Sequence, residues 1–179
     1  MMILTFVLIS LAIFLSYNIA ALSIFGVPSS LSNTYYLYEA KKKHLGLVFP
    51  AMMASMAFTL LPAWVELGKV ISSWSSYLNP LAFFTCVAIL FVGGAPAFRS
   101  TKLEGTVHKV AATVAAACAV LWCLVVCWKI IYVPLGTAAL VVLGGVFTNT
   151  WKIASVYWLE MMAFGATFIT VIVELLMHL

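Results

Sequence analysis

Six apolar runs, at residues 2–25, 46–67, 78–97, 106–128, 131–149 and 151–178, decide what this chain can fold into. Each is close to the roughly 20 residues a helix needs to cross a hydrocarbon layer about 30 Å thick. Only 8% of the residues are charged and the mean hydropathy is +1.17, whereas a soluble domain carries about 25% charged residues. A closed barrel would alternate lipid-facing and lumen-facing residues, and a run such as VAATVAAACAVLWCLVVCW does not alternate. The expected fold is an all-α integral membrane protein: one transmembrane domain over residues 1–179, built as a bundle of six transmembrane helices.

The first span begins at Met2 with no charged region before it and no small-residue cleavage site after it, so it reads as a retained helix. Lysine and arginine set orientation through the loops they favour on the cytoplasmic side. Lys41, Lys42, Lys43, Arg99, Lys102, Lys109 and Lys152 fall in or beside the loops after spans one, three and five, against only Lys69 and Lys129 on the opposite side. In a bacterial inner membrane or its topological equivalent, the expected location, that asymmetry puts these three loops in the cytoplasm and both termini outside it.

The four cysteines, Cys86, Cys118, Cys123 and Cys127, all lie inside spans, where buried thiols act as small hydrophobes. The three histidines, His44, His108 and His178, are spread over both membrane faces, so they do not converge as a catalytic metal requires. No metal site and no cofactor is expected, and no phosphate-binding glycine loop or nucleophile elbow is present. The net charge of +4 belongs to the cytoplasmic loops. It suits anionic lipid headgroups, so the expected partners are membrane lipids and not nucleic acid.

The longest polar stretch is SLSNTYYLYEAKKKHLG, residues 30–46. Gly26 and Pro28 break the first span, because proline lacks an amide donor and glycine favours turns. Tyr35, Tyr36 and Tyr38, with Lys41, Lys42 and Lys43, have the composition of a membrane-surface anchor: half-apolar rings at headgroup depth beside positive charge. A sharper reading has Ser29, Ser30, Ser32 and Asn33 folding over a site at the cytoplasmic mouth of the bundle.

Partners for such a site exist on the same side. Asn18 lies about 9 Å inside the membrane from the end of the first span, and an unpaired amide there costs on the order of 2 kcal/mol. The loop after the third span supplies Arg99, Glu104 and His108, the last two at i,i+4 spacing. Downstream, Ala112, Ala115 and Ala119 form a small-residue stripe that permits close helix approach. Glu160 sits roughly 13 Å deep in the sixth span, and a carboxylate within a span marks a functional site by default. Thr167, Thr170, Glu174 and His178 share its helix face. Glu174 and His178 are expected to be solvated near the outer surface, Glu66 and Lys69 to form a surface pair, and Gly144 and Gly145 to mark a close helix contact. Binding or proton handling is therefore assigned to Asn18, Ser32, Asn33, Arg99, Glu104, His108 and Glu160.

The motifs SSLSN in the first loop, APAF ending the third span and VHKVAATVAAA opening the fourth give the chain a layout that resembles the six-helix bacterial membrane families of unknown function sharing an outline with the DRAM and Sfk proteins. The resemblance covers about the first two thirds of the chain. The chain has no aspartate, so the acidic residues associated with the first loop of those families are missing. The resemblance implies a membrane-embedded protein that binds or acts on lipids or amphiphiles.

Three functional classes follow. The first is a binding or transport module for a lipid, amphiphile or cation, with a cytoplasm-facing cavity lined by Asn18, His108 and Glu160; a solute path through six helices calls for a homo-oligomer. The second is a membrane-embedded hydrolase or transferase using His108 with Glu104 or Glu160 and a first-loop serine. The third is a structural membrane partner protein.

Overall fold

The computed structural model describes residues 2–71, 74–98 and 101–178, and the side chains of all of these except 97, 98 and 101–105. The chain is all-α, 87% helical, with no strand among the described residues. Seven helices follow in order: α1 (Met2–Phe25), α2 (Asn33–Lys41), α3 (Val48–Ile71), α4 (Asn79–Gly94), α5 (Thr101–Val126), α6 (Tyr132–Phe147) and α7 (Ser155–Met177).

Among the described residues, five segments are long and apolar enough to cross a membrane: those containing α1, α3, α4, α5 and α7. The run expected as a fifth span, residues 131–149, forms a helix of only 16 residues, about 24 Å at 1.5 Å per residue. Its ends explain the shortening. Trp128–Ile130 winds into a 3-10 turn before it, and after Phe147 the Thr148 hydroxyl bonds back to the Gly144 carbonyl at 2.9 Å while Asn149 turns left-handed at φ 53°. Conversely, α3 runs past the expected boundary at residue 67 to Ile71. There the Lys69 ammonium meets Glu66 at 2.5 Å across one exposed helical turn, the expected surface pair.

The long helices run up and down and pack in the order α1, α3, α4, α5, with α7 closing lightly onto both α5 and α1 and α6 packed on the far side of α7. Glycine permits the closest of these approaches. A Cβ on Gly93 of α4 would lie 2.7 Å from the Cβ of Met53 on α3, and one on Gly145 of α6 would lie 2.6 Å from the Trp151 ring and 3.1 Å from Trp158. Small residues therefore set the helix separation, as they do between helices in lipid.

The core contains Phe49, Met53, Met56, Leu60, Trp64, Trp122 and Phe168, with the two indoles edge to face at 5.2 Å between ring centroids. The outer surface is apolar as well. Phe58, Leu140 and Phe147 are 70%, 70% and 84% exposed. Apolar exposure on that scale suits a hydrocarbon surround.

Candidate functional site

The connection from α1 to α3 is a folded cap. Gly26, at φ +71°, ends α1 in the left-handed conformation that glycine reaches without penalty, and its N–H bonds the Leu22 carbonyl at 2.9 Å. The chain then crosses the end of the bundle. Ser30 Oγ accepts from the Asn33 N–H at 3.1 Å and lies 3.1 Å from Ser32 Oγ, which organises the first turn of α2. Thr34, fully buried, donates to the Leu31 carbonyl at 2.5 Å and meets the Tyr17 hydroxyl of α1 at 2.5 Å. The far end of α2 is fixed by the Gly46 N–H, 3.3 Å from Glu39 Oε2.

Two of the three anchor tyrosines point into the bundle. Tyr35 and Tyr38 are 7% and 6% exposed, while Tyr36 is half exposed. Tyr38 packs edge-on against Phe25 at 4.9 Å and against Tyr17 at 5.8 Å, and its burial holds the phenol above its ordinary pKa. The lysine run stays outside: Lys41, Lys42 and Lys43 are exposed, with the Lys41 ammonium 6.0 Å from the Phe25 ring centroid.

The cap is bonded to α7 by two contacts. The Leu31 N–H donates to Glu160 Oε2 at 2.6 Å, and the Tyr157 N–H donates to the Ser29 carbonyl at 3.2 Å. The second contact satisfies one of the amides left open in the first turn of a helix. Leu31 itself is 1% exposed and plugs the end of the bundle.

Behind that plug lies a cavity of about 960 Å³, bounded by α3, α4, α5 and α7. Its body is apolar, with Met53, Leu60, Ile89, Ala115, Ala163 and Phe168 among its walls. The stretches from Lys109 to Leu121 on α5, Val156 to Phe168 on α7 and Met53 to Trp64 on α3 each span about 17–18 Å of helix axis. Three walls therefore give the cavity one length. Leu121, Val156 and Leu159, which line it, are 50%, 52% and 48% exposed, so it opens sideways between α5 and α7. Its charged and imidazole groups, His108, Lys109 and Glu160, all lie toward the α2 end, near the starts of α5 and α7. The lining hydroxyls of Thr85 and Thr113 donate to the Leu81 and Lys109 carbonyls of their own helices at 2.8 and 2.9 Å.

No protein-family model, curated protein or solved structure matches the chain.

Of the residues assigned from sequence, His108 and Glu160 share the cavity. Asn18 does not join them. It is 4% exposed, donates to the Phe14 carbonyl at 2.9 Å and accepts from the Tyr157 hydroxyl at 3.4 Å, binding α1 to α7 behind the cavity wall. Ser32 and Asn33 belong to the start of α2. Arg99 and the side chain of Glu104 lie outside the described residues. Lys109, Trp64, Thr34 and Tyr157 were missed; the pairing of Lys109 with His108 in VHKV was the available signal, since both lie one helical turn or two from the start of α5.

A second polar group lies at the opposite end. Glu174, expected to be solvated, is 3% exposed, because the face it shares with Thr167 and Thr170 is the one α7 turns inward. Its Oε1 is 3.8 Å from His178 Nδ1, while its Oε2 and the hydroxyl of the fully buried Thr170 have no hydrogen-bond partner. Cys86, Cys123 and Cys127 are free and buried, and among the described residues no set of three histidine, cysteine or acidic side chains converges for a metal.

Proposed function

We propose that this chain is an integral membrane binding or transport module for a lipid or other amphiphile, with α6 as a sixth, shorter membrane segment and the hydrocarbon of the ligand held in the cavity. The observation that carries this reading is the cavity itself: about 960 Å³, apolar along its body, polar at one end and open sideways between two helices. An extended alkyl chain advances roughly 1.3 Å per methylene, so the about 12 Å of helix axis between Glu160 and Phe168 accepts about nine carbons. A sideways opening lets a lipid enter from the bilayer without carrying its tail through water. Burying the tail in a protein wall is favoured by packing and not by the hydrophobic effect, since lipid is equally apolar.

Binding is favoured over group transfer by the lining hydroxyls. Those of Thr85 and Thr113 donate to helix carbonyls, and Ser30 and Ser32 are bonded within the cap. A nucleophile beside His108 and Glu160 is therefore not what the lining favours.

Tryptophan fluorescence tests the reading, because Trp64 lines the cavity. An alkyl amphiphile brominated at its tail tip, titrated against the protein in an uncharged maltoside detergent, should quench saturably, and Trp64→Phe should remove a defined share of that quenching. Ala163→Phe, which adds a ring to the cavity wall on α7, should abolish the saturable phase. Linear quenching that is unchanged in both variants would overturn the assignment.

A further inference from the structure

The polar end of the cavity is lined by residues of both charge signs, from α5 and α7. Glu160 on α7 and Lys109 on α5 both line the cavity near the starts of their helices, about 8 Å and about 12 Å along the respective axes. The two groups are not equally committed. Glu160 already accepts the Leu31 amide through Oε2, which fixes the carboxylate at the inner end of the cavity and leaves Oε1 for a further donor. Lys109 is exposed, and among the described residues no carboxylate lies within ion-pair distance of it.

We propose that the ligand is a zwitterionic amphiphile of the phosphoethanolamine type, its phosphate on Lys109 and its ammonium on Glu160. This rests on the hydrocarbon-binding reading of the same cavity and adds the headgroup. An anionic head alone would satisfy Lys109 but stand against the Glu160 carboxylate; a cationic head alone would satisfy Glu160 but stand against the lysine. A headgroup with both charges complements both walls, with a lysine acting as a point-charge phosphate ligand. Opposite charges arranged in this way act mainly as a selectivity device, because a head lacking one of them leaves a protein charge without its partner.

The test uses three probes with one brominated tail and different heads, an alkyl phosphate, an alkylammonium and an alkyl phosphoethanolamine, read by Trp64 quenching on the full chain. The phosphoethanolamine probe should bind about tenfold tighter than either single-charge probe, the worth of one partly desolvated charge pair. Lys109→Gln should reduce it to the level of the alkylammonium, and Glu160→Gln, which keeps an acceptor for the Leu31 amide, to the level of the alkyl phosphate. Equal binding of all three heads, or variants that weaken all three alike, would overturn the headgroup assignment while leaving the cavity as a hydrocarbon site. Absence of saturable quenching by any probe would overturn both. Lys109 is exposed and its side chain fills no core position, so its variant tests the headgroup without risk to the fold.

Discussion

The Leu31 N–H donates to the Glu160 carboxylate at 2.6 Å across 129 positions of sequence. This one bond ties the cap over the bundle to the helix that forms a cavity wall, and its acceptor is the same side chain that lines the cavity's polar end. The cap and the cavity wall are therefore tied together through one side chain.

Glu160→Leu should leave the buried Leu31 amide without its acceptor and lower stability by about 1–3 kcal/mol. Glu160→Gln retains an oxygen acceptor and should cost less than about 1 kcal/mol. Unfolding in detergent measures the difference, and a cysteine placed at Ser30 should label faster in the leucine variant. A leucine variant as stable and as protected as the parent would show that the bond does not hold the cap.

The Tyr17 hydroxyl, the Thr34 hydroxyl and the Leu31 carbonyl form a buried chain at 2.5 Å per step. Tyr17→Phe and Thr34→Val should each destabilise by about 1 kcal/mol. Because both break the same Tyr17–Thr34 bond, the double variant should lose less than their sum. Full additivity would mean that the two hydroxyls act independently.

Thr170 presents the opposite case: its hydroxyl is fully buried without a partner. Thr170→Val keeps the shape and removes the unpaired group, so it should raise stability by about 1 kcal/mol. Thermal unfolding of this variant beside Thr34→Val should give shifts of opposite sign. A loss of stability at Thr170 would reveal a partner for that hydroxyl, such as a bound water or cation beside Glu174.

Gly93→Ala should cost about 1–3 kcal/mol, because its new methyl would sit 2.7 Å from the Met53 Cβ and force α3 and α4 apart. Gly136 of α6 has nothing within 4 Å of the same atom, so Gly136→Ala should be neutral or slightly stabilising through helix propensity. Equal effects at the two positions would remove close packing as the reason for Gly93.

Orientation is tested by thiol labelling in intact cells. The seven basic residues on the α2 side against two on the other predict that a cysteine at Lys42 is reached only from the cytoplasm. A cysteine at Tyr77, 82% exposed in the turn between α3 and α4, should be reached only from outside. The reverse pattern would invert the topology.

Fold class was legible in the sequence because length and hydropathy are local sums that a bilayer-sized helix must satisfy wherever its neighbours lie. The same locality made Glu160 stand out, since a carboxylate in an apolar run is conspicuous on its own. It also accounts for the extra length expected of the run at 131–149, since hydropathy summed over a window does not register that the backbone turns at Thr148 and Asn149.

What only the tertiary structure decided is which groups meet. Asn18 and Glu160 looked like partners from their depths alone, yet Asn18 turns to Phe14 and Tyr157 while Glu160 takes a backbone amide from the cap. Depth along a helix follows from residue count, but the direction a side chain faces follows from how each helix is rotated against its neighbours. In this bundle that rotation is set by contacts such as Gly93 on Met53 and Gly145 on Trp158, between residues that no local pattern connects. The same helix–helix geometry, and not composition, buries Glu174, turns Tyr35 and Tyr38 inward and leaves an open space between α5 and α7.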